Sequence, residues 1–267
     1  MSAATRELLR GAGRAVRRSS IWWAVAIIAF VALNMAFWPS LEDSAALQSF
    51  DDLGAILDAF GAQNLASPAG YLDGQVFALM LPLLLSGMAI AQGSLLTAGD
   101  ERAGRLELLH ALPVSRRSIW LTRWSASTAA LVLVAAATAL AALLCLPLFS
   151  FEGVGTGRVL AATGACALLA VFHASVAYAA SGAGASRGLA VGAAIAVLLA
   201  GYVLSYVLPI AQSLQGARDW SPWYWALGEQ PVHDGISAPG LVVLAVATAV
   251  LVAVGTFAVD RRDIHSA

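Results

Sequence analysis

Six apolar runs, at about residues 21–38, 76–98, 120–147, 159–181, 189–210 and 239–259, constrain this chain more than any other feature. Crossing a ~30 Å hydrocarbon core takes about 20 residues of helix, and within lipid a backbone can satisfy its polar groups only in helices or closed barrels. The chain is 60% hydrophobic and 12% charged, with a mean hydropathy of +0.78, against roughly 25% charged residues in an average soluble domain. The expected fold class is an all-α integral membrane protein: six transmembrane helices forming a single transmembrane domain over residues 1–267.

Orientation follows from arginine placement, because all fifteen basic residues are arginines and cytoplasmic loops collect positive charge. With both termini inside, thirteen fall on the cytoplasmic side and only Arg158 and Arg218 outside. Six acids accompany the thirteen and ten accompany the two, so the net charge of −1 hides a separation of +7 inside and −8 outside. Tryptophan prefers the headgroup level, and all eight suit this topology as interface markers, from Trp22, Trp23 and Trp38 on span one to Trp220, Trp223 and Trp225 in the last outer loop.

The N-terminal basic region followed by an apolar run resembles a signal peptide, but the run ends in AFWPS instead of a small-residue cleavage site. Retention is therefore expected. Residues 5–18 place Arg6, Arg10, Arg14 and Arg17 on one helical side and Leu8, Leu9, Ala12, Ala15 and Val16 on the other, which predicts an interfacial helix on the inner surface. It can serve as a topology anchor or touch a partner. In the acidic loop 39–74, Leu47, Phe50, Leu53, Leu57 and Phe60 recur at helical spacing and predict a short external amphipathic helix. Gly184, Gly188 and Gly192 predict close helix packing. The apolar segment DWSPWYWALGEQPVHDG is expected to dip back into the interface, and Cys145 and Cys166 read as small buried hydrophobes.

The chain shows no engine of its own. Its spans are expected to be free of Asp, Glu, Arg and Lys, whereas ion-coupled transporters depend on intramembrane ionisable groups. His173 in span four is the one candidate, and it reads as a neutral interhelical hydrogen-bonder. A phosphate-binding P-loop needs a lysine, and the sequence has none. Nor does it contain a His-Glu-x-x-His helix. No metal site, no bound cofactor and no nucleic-acid partner are expected.

What stands out is residues 99–118, GDERAGRLELLHALPVSRRS, between spans two and three. Glu101 and Arg105 are four apart and can pair on a helix, Leu106, Leu109 and Leu112 descend one side, and Glu107 and His110 face away. Pro113 ends that helix, Ser115 caps the next, and Arg116 and Arg117 open it. A leucine ridge flanked by both charge signs suits a specific protein contact. A simple charged connector is the other reading.

Here the sequence resembles a known family. Glu101-x-x-Gly104-Arg105-Leu106-Glu107-Leu108-Leu109-x-x-x-Pro113-Val114-Ser115-Arg116 is similar to the signature of ATP-binding-cassette permeases of the type-2 exporter class. Phe257-Ala258-Val259-Asp260-Arg261-Arg262-Asp263-Ile264 resembles the same family's closing motif, and Ser221-Pro222-Trp223-Tyr224-Trp225 its last outer loop. Arg105 and His110 depart from the commonest pattern, where threonine and leucine often stand.

The resemblance implies that residues 100–112 form a coupling helix seated on a separate P-loop ATPase subunit, which carries the ATP and Mg. Contact residues would be Glu101, Arg102, Gly104, Arg105, Leu106, Glu107, Leu109, Pro113, Arg116 and Arg117, with Arg6, Arg10, Arg14, Arg261 and Arg262 as a secondary contact and Trp223, Tyr224 and Trp225 in the outer loop. It further implies a pair of permease chains, identical or different, exporting substrate between them with spans two and five beside the path. Scattered Asn34, Gln92, Ser175 and Tyr178 in an Ala, Leu and Val lining suit amphipathic or lipophilic cargo. Composition and resemblance together suggest a bacterial plasma membrane. A membrane scaffold that recruits a soluble partner through residues 99–118 is the alternative.

Overall fold

The computed structural model describes residues 3–42, 67–99 and 115–261, and the described residues contain helices and turns with no strand. In chain order the helices are α1 (Ala3–Glu42), α2 (Pro68–Leu72), α3 (Met80–Ser94), α4 (Arg116–Leu148), α5 (Thr156–Gly182), α6 (Arg187–Tyr202), α7 (Pro222–Leu227) and α8 (Ala238–Asp260). Six helical stretches, Arg6–Leu41, Pro68–Thr97, Arg116–Leu148, Thr156–Gly182, Arg187–Ile210 and Ala238–Asp260, are long and apolar enough to cross a membrane. They coincide with the six apolar runs.

Helix α5 is the centre of the bundle, packed against α3, α8, α6 and α4, while α1 lies along α4. The inner-facing side chains are small: Ala162, Ala165, Cys166, Ala170, Ala174 and Ala177 of α5 are all buried. Without water between helices, close van der Waals packing takes the place of the hydrophobic effect, and small residues permit it. Both cysteines are buried and free. Where α5 crosses α8, a Cβ on Gly182 would sit 2.4 Å from the Gly255 carbonyl oxygen, so neither backbone leaves room for a side chain.

That seam corrects an expectation. Gly188 and Gly192 were the glycines whose spacing predicts close packing, yet a Cβ on either meets nothing within 4 Å, and Gly184 instead supplies the positive φ of 98° in the α5–α6 turn. The approach is made by glycines whose partners come from distant sequence. The tryptophans divide by burial: Trp38, Trp120 and Trp223 are buried among other side chains, while Trp22 and Trp220 are exposed. Trp38 stacks with Tyr71 and Phe151 at centroid distances of 5.1 and 5.6 Å, fixing the far end of α1 to the α4–α5 turn.

The N-terminal segment is helical as predicted, but no break separates residues 5–18 from span one. Ala12 and Val16 are buried against Leu96 and Ala126, so the apolar side of this stretch packs on protein and draws it into one continuous helix with the span. The predicted external helix at 47–60 lies outside the described residues.

Candidate functional site

Segment 99–118 joins the bundle at the end where α4 and α6 begin and α5 and α8 finish, here called the basic end because Arg116, Arg117 and Arg187 gather there. Glu101, Arg102, Gly104, Arg105, Leu106, Glu107, Leu109 and Pro113 lie outside the described residues, as does Arg262. The two points from which the segment departs and to which it returns are described, and both are tied down.

On the departing side the chain passes from α3 into a π-helical turn, Leu95–Gly99. Arg123 of α4, buried, donates to the Leu96 carbonyl oxygen. Thr97 donates to the Gly93 carbonyl at 2.8 Å and to Ser181 Oγ of α5 at 3.4 Å. Arg123 thus corrects the expectation of charge-free spans: it sits within span three, and its burial is offset by the bond to the Leu96 carbonyl.

On the returning side Ser115 caps α4, its hydroxyl accepting from the Ser118 N–H at 3.3 Å, as the sequence predicts. Arg117 opposes the positive N-terminal end of the α4 dipole, and Asp260 opposes the negative C-terminal end of α8. The two side chains pair, which neutralises both misplacements, and the Arg117 guanidinium lies 5.0 Å over the Phe257 ring. One turn on, Trp120 and Trp124 flank Tyr178 at 5.9 and 6.4 Å, Tyr178 hydroxyl bonds Thr256 Oγ1 at 2.9 Å, and Trp124 Nε1 donates to Ser175 Oγ at 3.1 Å. The first three turns of α4 are therefore fastened to α5 and α8 together.

Of the other predicted contact residues, Arg6, Arg10 and Arg14 are exposed near the start of α1, with Glu7 pairing Arg10 at 3.6 Å and Arg14 at 3.2 Å. Arg261 is exposed just beyond α8. They do not join the Arg117 cluster.

The opposite end carries a polar device that the sequence reading missed. Asp73, fully buried in a π-helical turn (Asp73–Phe77) before α3, accepts from the Val232 N–H at 2.8 Å and the His233 N–H at 2.9 Å, one bond to each carboxylate oxygen. Arg158, in the first turn of α5, donates to the carbonyls of the same two residues. An acid and a base thus grip one dipeptide from its donor and acceptor sides. Charge-assisted bonds of this type are worth ~1.5–3 kcal/mol each.

The last loop packs on the bundle at the same end, where its apolar sequence predicts a return to the membrane interface. Trp223 of α7 is buried, its indole N–H donating to the Leu198 carbonyl at 3.1 Å, and Gly201 leaves room for the ring. Tyr224 lies under the Arg218 guanidinium at 5.2 Å, and Trp225 Nε1 donates to the Asp219 carbonyl at 2.7 Å.

His173 bonds Ser86 Oγ of α3 at 3.0 Å through Nδ1, the interhelical role expected of it. All three π-helical turns among the described residues, Asp73–Phe77, Leu95–Gly99 and Val203–Val207, fall on spans two and five. Such turns concentrate where a helix must change shape for function. No three His, Cys, Asp or Glu side chains among the described residues gather as a metal site would require.

Six helices long and apolar enough to cross a membrane, two of them carrying all the π-helical turns among the described residues, describe an integral membrane body. No curated protein matches the chain. A family model described as "Multidrug efflux system permease Rv1217c, C-terminal domain" matches residues 11–259, nearly the whole length, and the chain belongs to that family of multidrug efflux permeases.

Proposed function

We propose that this chain is the membrane-spanning subunit of an ATP-binding-cassette exporter of the type-2 class, in a bacterial plasma membrane with both termini cytoplasmic. It works as a pair with a second permease chain and is driven by a separate P-loop ATPase subunit that holds the ATP and Mg. The observation that carries this reading is the family match over residues 11–259, joined to a sequence that has no lysine for a P-loop of its own.

On this reading residues 100–112 receive the closing motion of the ATPase. Arg116 to Trp124 pass it on, because the first turns of α4 are fastened to both α5 and α8 and must move with them. Spans two and five supply the wall that changes shape, in keeping with their π-helical turns. The cargo is amphipathic or lipophilic, since the helix faces offer few polar groups.

The test is to replace Gly104 and Glu107 together and measure export and ATP hydrolysis in membranes containing both subunits. Export is expected to fall at least ~10-fold, a loss of about 1.4 kcal/mol of coupling, while ATP hydrolysis and the amount of chain in the membrane persist. Normal export by the double variant would falsify the coupling assignment. Purification of the chain with no ATPase bound, under conditions that preserve its fold, would favour a scaffold instead.

A further inference from the structure

Between α1 and α4, toward the basic end, the surface opens into an apolar groove of about 440 Å³. One wall is an alanine face of α4, with Ala129, Ala130 and Ala137, and the other is α1 at Gly13, where a Cβ would meet nothing within 4 Å. The groove exists because the facing side chains are too short to close it. Exposed Ile21 of α1 and Leu133 of α4 border it, a surrounding that acyl chains solvate well.

One polar group stands out in that setting. Arg17 lies against the groove, exposed, and among the described residues it makes no hydrogen bond or ion pair. Its neighbours Arg10 and Arg14 share Glu7, one turn or two nearer the N-terminus. The groove therefore presents a slot for a hydrocarbon chain beside a free guanidinium, whose fork suits the oxygens of a phosphate. Arg18, the next residue, is also exposed and adds positive potential.

We infer that this groove is a binding site for one anionic phospholipid of the cytoplasmic leaflet, its acyl chain against Ala129, Ala130 and Ala137 and its phosphate on Arg17. The lipid would complete the α1–α4 contact where side chains leave it open. This inference rests on the groove, on Arg17 and on the cytoplasmic termini proposed above, and does not depend on the ATPase partnership.

The experiment is native mass spectrometry of the full chain titrated with phosphatidylglycerol and, separately, with phosphatidylcholine bearing the same acyl chains. Wild-type protein is expected to retain phosphatidylglycerol about five-fold more strongly, the factor that one basic side chain contributes at an anionic surface. Arg17→Gln should bring the two lipids close to parity, while Arg14→Gln, which removes a side chain already engaged by Glu7, should leave the preference in place. Gly13→Leu should reduce retention of both lipids by filling the slot. Ala129→Leu, at an exposed position on the other wall, gives the same answer if the first does not fold. Unchanged lipid preference in Arg17→Gln would overturn the proposal. So would a loss of dimer mass in the groove-filling variants with lipid retention intact, since the groove would then hold a second copy of the chain.

Discussion

Helices α5 and α8 sit side by side and are both made for lipid, yet they behave as opposites. Helix α8 belongs to the most apolar span class, with a mean hydropathy of 2.6, and is mostly exposed; α5 scores 1.9 and is the most buried span of the bundle. In a water-soluble protein the more apolar helix would be the inner one. Here the order reverses, because lipid already solvates Val and Leu and it is the hydroxyls, imidazoles and carboxylates that must find protein partners. Thr163, His173, Ser175 and Ser181 of α5 are all buried, while Val242, Val246, Val250 and Val254 of α8 face outward.

The sharpest way to break this comparison is at the seam between the two helices. Gly182→Leu drives a side chain into the Gly255 backbone and is expected to cost about 3 kcal/mol or more by overpacking. It would show as loss of the folded peak in tryptophan-detected thermal unfolding in detergent. Gly192→Leu, with open space around its Cβ, should unfold within a degree or two of wild type, roughly the ~0.5 kcal/mol range of a surface change. Equal melting temperatures for the two would refute the packing described here.

Next in size, Asp73→Ala strands the Val232 and His233 N–H groups and should destabilise by about 2 kcal/mol, with faster proteolysis of the 228–237 segment as the second readout. Intact resistance to protease would mean that the grip on the dipeptide is incidental. His173→Leu removes one interhelical bond to Ser86, and its expected cost is ~1 kcal/mol by the same melt, with export of substrate unchanged. A large loss of export would instead make the imidazole part of the transport path. The smallest effect is expected of Val246→Leu on the outer face of α8, less than about 0.5 kcal/mol; a clear destabilisation would show that this face is covered.

Much of this architecture was legible without coordinates, for identifiable reasons. Length and apolarity define a span almost by themselves, so all six emerged, and the Ser115 cap and the His173 contact followed from local chemistry. The misses have one physical cause. Asp73 looks like another acid of an outer loop because its partners are 159 residues away, and no local pattern announces a carboxylate that binds distant backbone. Glycines 182, 201, 240 and 255 pack closely without regular spacing, since the residue that fills the space comes from another helix. Gly188 and Gly192 show the converse: a regular spacing with nothing within 4 Å of a Cβ among the described residues. Arg123 reads as the end of a cytoplasmic stretch, and only the π turn at Leu95–Gly99 shows what it bonds. Of the candidate contact segment, the sequence supplies the motif and the structure supplies its two anchorages.

Helix α1 runs without interruption from Ala3 to Glu42, its one proline being Pro39 near the far end. At 1.5 Å per residue that is a helix of roughly 60 Å, with no proline along its first nine turns. A helix with its hydrogen-bond ladder unbroken resists sharp local bending. It pivots, and a tilt of ~5° displaces one tip relative to the other by about 5 Å over that length. Any force applied near Arg6 therefore arrives at Trp38 and its aromatic partners with its direction reversed about whatever fulcrum the bundle provides, as in an oar working through a rowlock.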